Sequence, residues 1–409
     1  FVPTIIFSQG SIPFWEKDLA WSGDSTDILM DVIELDDKGI MSGGHTYSSD
    51  TLDQNRVNNG DSDFWVVTED STGLGGFNQI YGGDSVELFS NIIKLADGFI
   101  FAGSSSSSPS GSKTSVNYGG FDYWIVKVNN SGVKQWDMSY GGAEDDFLKT
   151  ALLLNNGNLI LGGNSFSGVG GVKSDPLIGV TDFWTVVVNG TDGSILWDAT
   201  LGGDGTDVMT SVFINGGLYL GGYSNSNASG SKSENSYGGY DYWIVNLNIL
   251  TGAKAWDYTH GGTGDDYLQR LVLNERTPSF YASGTSSSGV GGTKTTGNEG
   301  GSDYWLMDFD SLGNKKWENN IGGTGTDVLT DMITSKEGAV IIGGYSNSGV
   351  GGTKTTSNNG GYDYWIVKVY SFGQTYWERT YGGALDDTLT SLHERCDRGV
   401  YAGGHSTSG

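Results

Sequence analysis

Residues 317–377 set out the pattern that the whole chain repeats. Trp317 opens a short segment that ends at Gly322-Gly323. DVLTDMIT follows, and its apolar residues largely alternate with polar ones, the period of a strand covered on one face. A turn at Glu337-Gly338 leads to AVIIGGYSNS. A long polar loop, GVGGTKTTSNNGG, precedes DYWIVKVYS, and a last turn at Phe372-Gly373 leads to Trp377. Four β segments bounded by Gly, Asn, Ser and Asp turns are predicted. The 3.6-residue period that a helical solenoid needs is absent.

Two markers carry this pattern through the chain. An aromatic-Trp pair after Asp recurs at Trp65, Trp124, Trp184, Trp243, Trp305 and Trp365, at intervals of 59, 60, 59, 62 and 60 residues. An acidic residue after a Gly-rich turn recurs at Asp27, Glu87, Asp146, Asp207, Asp266, Asp327 and Asp387, at intervals of 60, 59, 61, 59, 61 and 60. Two markers in step define one structural unit of about sixty residues. Four strands per unit, repeated radially, is the arithmetic of a β-propeller blade.

The expected fold is therefore all-β: a seven-bladed β-propeller in a single domain, 1–409. Its units fall at about 15–76, 77–136, 137–197, 198–256, 257–317 and 318–377. A seventh, 378–409, lacks its third segment. Counting back from Trp15 sets Ile5, Ile6 and Phe7 on Val126, Lys127 and Val128, with Trp15 on Trp136 and Pro3 in place of the signature Trp. Residues 1–14 are thus expected to complete the last blade and remove the open edge of a linear array. The same alignment makes the apolar opening FVPTIIFSQG a strand rather than a secretory signal.

Composition narrows the function classes. The chain has 68 Gly and only 5 Pro among 409 residues, with 50 aromatic residues, so it turns often and is ordered. The formal charge of −26 repels phosphate backbones and argues against nucleic-acid binding. A single cysteine, Cys396, allows neither a disulfide framework nor a thiolate metal cluster. No apolar run is long enough to span a bilayer as a helix.

The motifs Gly-Gly, Asp-x-Leu, an apolar GG-[ST] strand and Gly-Gly-x-Asp-Tyr-Trp-Ile-Val-Lys resemble bacterial SBBP-type β-propeller repeats. TKTTSNNGGYDYWIVKV (353–369) is similar to the version found in secreted and surface proteins of Bacteroidota, many of them exported by type IX secretion. The resemblance implies a propeller at or beyond the bacterial outer membrane, and it supplies no catalytic residues.

Four groups of residues are candidates for chemistry. Asp27, Glu87, Asp146, Asp207, Asp266, Asp327 and Asp387 each precede a strand, and a circle of them could hold Ca²⁺. Their occurrence in every unit favours fixing turn amides instead. Asp63, Asp122, Asp182, Asp241, Asp303 and Asp363 precede the signature aromatics and read as turn-fixing carboxylates beside a Trp that packs between blades. Lys113, Lys173, Lys232, Lys294 and Lys354, with Arg56 near the equivalent place, lie in the long loops, to pair with carboxylates or to meet an anionic glycan. His45 and His405 hold equivalent positions and could share a metal.

No unit carries a nucleophile triad, a unique carboxylate pair or a phosphate loop. The departures from symmetry are loops: TYSSDTLDQNRVNN, VKSDPLIGVTD and NERTPS. The expected function is a non-catalytic extracellular or cell-surface module that presents loops to a protein or glycan, with no cofactor beyond Ca²⁺. The alternatives are an architectural subunit of a cell-envelope assembly and a polysaccharide-acting enzyme with a central-channel site.

Overall fold

The computed structural model describes residues 2–7, 18–20, 25–48, 58–71, 75–274, 276–370, 372–395 and 398–408, the first two stretches by backbone alone. Trp15, Arg56 and Cys396 lie outside them. The described chain is all-β, built as four-stranded antiparallel β-propeller blades, and among the described residues there is no helix long and apolar enough to cross a membrane. Six blades are formed by four consecutive strands each, over 27–81, 87–140, 146–201, 207–260, 266–321 and 327–381. In the last of these the strands are Asp327–Thr334, Val340–Ser346, Asp363–Val369 and Thr375–Tyr381.

The expected count of seven blades, the last completed by residues 1–14, is corrected to six built from consecutive strands. Residues 378–409 supply only two strands of their own, Asp387–Glu394 and Val400–Ser406. The sheet that contains them takes its other two from the opposite end of the chain, in the order Asp18–Ala20, Val2–Phe7, Val400–Ser406, Asp387–Glu394. Thr4 lies opposite Ala20 and Ile6 opposite Asp18. The unit boundaries also shift. A break at 136/137 would cut through Lys134–Tyr140, which pairs with Asp122–Asn129 as the fourth strand of its sheet. A tight turn joins those two strands, so the Trp-bearing segment closes one blade instead of opening the next.

The chain forms two compact units, one centred on Phe14–Thr200 and the other on Leu201–Val400. The first holds three of the six blades and the second the other three. Within each, the first strands of successive blades pack against one another, as Asp207–Ile214, Asp266–Asn274 and Asp327–Thr334 do. Each first strand carries a β-bulge, between Leu29 and Asp31 in the first blade and between Leu329 and Asp331 in the sixth. A bulge re-aims a side chain, and here the residue after it reaches the next blade. Asp31 accepts the Ile92 N–H at 2.9 Å, Asn91 that of Ala151 at 3.0 Å, and Asp331 that of Leu392 at 2.7 Å. Opposite the bulge only glycine fits: a Cβ on Gly344 would lie 1.9 Å from the Val328 carbonyl oxygen.

The third strand of each blade reads DYWIVKV or a close variant and is buried on both faces. Its two aromatics serve opposite seams. The Tyr304 ring packs on Trp365 at 4.9 Å, and its hydroxyl donates to the Trp365 carbonyl at 3.1 Å. Tyr123 with Trp184 and Tyr242 with Trp305 repeat the arrangement. Trp184, Trp305 and Trp365 are thus the spacers between blades that the repeat pattern suggested.

Ring packing is expected to outweigh the hydroxyl bond. Trp365→Ala should cost about 3–5 kcal/mol and Tyr304→Phe only about 0.5–1.5 kcal/mol, both by urea denaturation. Equal losses would show that the hydrogen bond, not the ring, holds the seam.

Candidate functional site

Antiparallel pairing puts four features at the same end of every blade. They are the start of the first strand, the end of the second, the long loop between second and third, and the Gly-Gly turn after the fourth. All seven acidic marker residues and all five loop lysines therefore lie near this end of their own blades, and these ends are the candidate binding surfaces.

The structure gives the seven acidic residues the turn role. None is more than 3% exposed. The Asp146 carboxylate accepts the Gly142 N–H at 2.7 Å and the Ser167 hydroxyl at 2.9 Å. Asp207, Asp266, Asp327 and Asp387 take the corresponding pairs: Gly203 and Ser226, Gly262 and Ser288, Gly323 and Ser348, Gly383 and Ser408. Glu87 accepts the Gly83 N–H and the Ser105 hydroxyl, and Asp27 the hydroxyls of Thr46 and Ser48. A carboxylate so engaged pins the Gly-Gly turn to the end of the second strand. Among the described residues no three or more His, Cys, Asp or Glu side chains gather as a metal-ligand group.

The lysines depart furthest from expectation. Lys113, Lys173, Lys232, Lys294 and Lys354 are at most 3% exposed, so they form no surface ring to greet a glycan. Each folds its ammonium under its own loop. Lys113 donates to the Ser115 carbonyl at 2.8 Å and the Ser139 hydroxyl at 2.9 Å, and Lys294 to Asn320 at 2.9 Å. The ammonium sits over the signature ring, 5.2 Å from Trp305 for Lys294 and 4.7 Å from Trp365 for Lys354. A cation over a desolvated indole gains from the ring quadrupole. Burial lowers all five ammonium pKa values, and neighbouring carboxylates oppose the shift.

One set of site residues was missed by the motif reading. The acidic residue after the fourth-strand Trp (Asp137, Asp198, Asp257, Glu318 and Glu378) anchors the loop. Asp137 accepts the backbone N–H groups of Thr114 and Ser115, each at 2.9 Å, and the Trp124 indole N–H at 3.0 Å. It also pairs with Lys134 at 2.7 Å. These bonds outweigh its burial and hold its carboxyl well below the usual range. Glu378 likewise takes the Thr356 N–H at 3.0 Å and the Trp365 indole at 2.9 Å. The signal was present: Trp-Asp or Trp-Glu stands at 136, 197, 256, 317 and 377.

The loops so anchored expose apolar side chains. Val169, Val290 and Val350 are 65–69% exposed at equivalent positions, and Val116, Tyr118, Ile178, Val180 and Tyr237 are exposed in the long loops of their own blades. Two seams and the sixth blade also carry ring clusters at this end that differ from blade to blade. Phe121 and Phe147 lie 5.0 Å apart, Tyr223 lies 4.9 Å from Tyr267 and 5.4 Å from Tyr240, and Tyr345 lies 5.2 Å from Tyr362. His45 is buried and accepts the Phe89 N–H through Nδ1 at 3.3 Å. Burial, then the neighbouring His405, lowers its pKa to about 4. Burial lowers the His405 pKa as well, so a charge is disfavoured on both histidines.

No family model matches the chain, and no curated protein matches it. The likeness to SBBP repeats therefore rests on the motifs alone. Solved structures similar to the chain include the WD40 domain of Neurospora crassa Pan2, with a TM-score of 0.48 and 8% identity over 92% of this chain and 89% of that one. The Dos1 propeller has a TM-score of 0.49 and 10% identity over 98% and 90%. BamB from Moraxella catarrhalis has a TM-score of 0.37 and 14% identity over 94% and 99%.

Asp146→Ala is expected to destabilise the protein by about 1–3 kcal/mol, because a buried amide and hydroxyl lose their acceptor. EDTA and Ca²⁺ should leave the wild-type melting temperature unchanged. A Ca²⁺-dependent rise that Asp146→Ala abolishes would give these residues the metal role.

Proposed function

We propose that this protein is a non-catalytic binding module at a bacterial cell surface, one that meets a protein or glycan through the long loops at the ends of its blades. The observation that carries this reading is the exposure of Val169, Val290 and Val350, with Tyr118, Ile178 and Tyr237, on loops whose backbones are hydrogen-bonded to buried carboxylates. Apolar side chains held out into water gain nothing for the blade and favour contact with a partner. A loop already ordered loses little entropy when it binds. The fold suits protein interaction, and the surface location follows the likeness of 353–369 to repeats of secreted proteins.

The paired variant Val290→Ser, Val350→Ser tests these loops. Exposed substitutions change stability by no more than about 0.5 kcal/mol, so the melting temperature should hold while retention of envelope proteins or arrayed glycans falls. Unchanged retention would move the site elsewhere. Release of sugar from a polysaccharide would establish the enzyme, and one permanent stoichiometric protein complex the architectural subunit.

A further inference from the structure

The third-strand aspartates hold an unmatched oxygen. One carboxylate oxygen of each accepts a backbone N–H four residues back: Asn59 to Asp63, Tyr118 to Asp122, Tyr237 to Asp241 and Glu299 to Asp303 at 2.6 Å, and Asn359 to Asp363 at 2.5 Å. The other oxygen is buried with no hydrogen-bond partner in all five, and the residues themselves are 0% exposed. A bare carboxylate oxygen shut away from water is costly.

The unmatched oxygen faces a second carboxylate across the seam. A Cβ on Gly141 would lie 1.8 Å from Asp122 Oδ1 and 3.0 Å from Asp146 Oδ2. One on Gly82 would lie 1.8 Å from Asp63 Oδ1 and 2.4 Å from Glu87 Oε2, and one on Gly382 2.0 Å from Asp363 Oδ1 and 2.8 Å from Asp387 Oδ2. In these three seams the two acids share the space in front of one glycine, the first of its Gly-Gly pair, while a Cβ on Gly261 or Gly322 would lie 1.6 Å from Asp241 Oδ1 or 2.0 Å from Asp303 Oδ1. Like charges this close, without water, do not both ionise readily.

Charge counting within a blade leads to the same point. In the second blade Lys113 faces Glu87, Asp122 and Asp137, and Asp137 is already matched by Lys134. One ammonium is left for two buried acids. The fourth and fifth blades repeat the arithmetic, with Lys232 against Asp207 and Asp241, and Lys294 against Asp266 and Asp303. Their fourth-strand acids are matched by Lys254 and Lys315. One proton per blade restores balance.

We propose that Asp63, Asp122, Asp241, Asp303 and Asp363 are neutral acids in the folded protein, each donating its proton across the seam to the carboxylate that opens the next blade. The seams are then joined by carboxyl–carboxylate hydrogen bonds that weaken as the solution becomes alkaline. The groups facing Asp122 are Asp146 and Lys113, and those facing Asp241 are Asp266 and Lys232. Asp303 faces Asp327, Lys294 and the Asn320 amide, and Asp363 faces Asp387 and Lys354. Asp63 faces Glu87 and Asn59. Burial leads the causes that raise all five, Asp63 and Asp122 to about 7 and Asp241 to about 6.

The folded state therefore binds more protons than the unfolded chain between the ordinary 3.8 and about 7. Stability from these groups is complete below that window and is lost as pH rises through it. Asp137, Asp257 and Glu318 are shifted downward and act oppositely, losing their contribution only as pH falls below the ordinary carboxylate range.

The test is thermal unfolding of the full chain at about pH 5 and about pH 8, for wild type and for Asp122→Asn and Asp241→Asn. Wild type should melt higher at the acidic value. Each Asn variant, which keeps the acceptor and supplies an N–H to the facing carboxylate, should show a smaller pH slope and no loss at the alkaline value. Variants that lose stability mainly at the alkaline value, with the slope unchanged, would overturn the proposal. Infrared spectroscopy of wild type at neutral pH needs no variant to fold. A protonated-carboxyl C=O band that disappears on alkalinisation is expected, and its absence would equally overturn the assignment. Stabilisation by Ca²⁺ at the alkaline value, sensitive to Asp122→Asn, would mean that the pair holds a cation rather than a proton.

Discussion

A strand apolar on both faces cannot remain in water on either side, and every complete blade has one. In the sixth blade it is Asp363–Val369, buried at each position. The blade is therefore not a stable object by itself. Its signature Trp needs the preceding blade's aromatic against it, and its own Tyr or Phe must find the Trp of the next. Repeats that contact only their neighbours fold on such terms. The rest of the architecture serves this one requirement. The bulge turns Asp31, Asn91 and Asp331 toward the adjacent blade, and the Gly-Gly turn allows two acids to approach across the seam without a side chain between them.

Much of this was legible in the residues. The period, the strand content and the turn role of the acidic markers all follow from spacing and from the identity of the turn residues. Asp146 accepting the Gly142 amide is what an acid four residues after a glycine at a strand entrance does. The phase of the blade was not legible. Trp136 looks like a beginning because it heads an apolar segment, and only the pairing of Lys134–Tyr140 with Asp122–Asn129 shows it to be an end.

The lysines mislead for a different reason. Within a loop of Gly, Ser and Thr, a lysine reads as exposed, since nothing nearby in sequence could cover it. Its cover comes from the third-strand Trp and from fourth-strand groups such as Ser139 and Asn320, about twenty-six residues on in the chain. The acids that anchor the same loop, Asp137 and its equivalents, were hidden in plain view beside a Trp whose size drew attention to packing. Both cases turn on partners distant in sequence, which periodicity locates only once the strand order is known.

The distinction between repeated and unrepeated features also sorts structure from function. Carboxylates, lysines and glycines that recur in every blade are spent on the seam and the loop. The rings at Phe121, Tyr240 and Tyr362 stand where other blades carry Ser62, Thr181 and Ser302. That freedom to vary on a fixed frame is what a binding face requires. It also bears on the charge. The formal −26 counts every carboxyl as ionised and every lysine as if it were at the surface. The loop lysines and the marker acids are buried and largely balance one another, so they contribute little to the field a partner meets. Among the described residues, Asp84, Glu144, Asp145 and Asp204 are exposed acids in the turns.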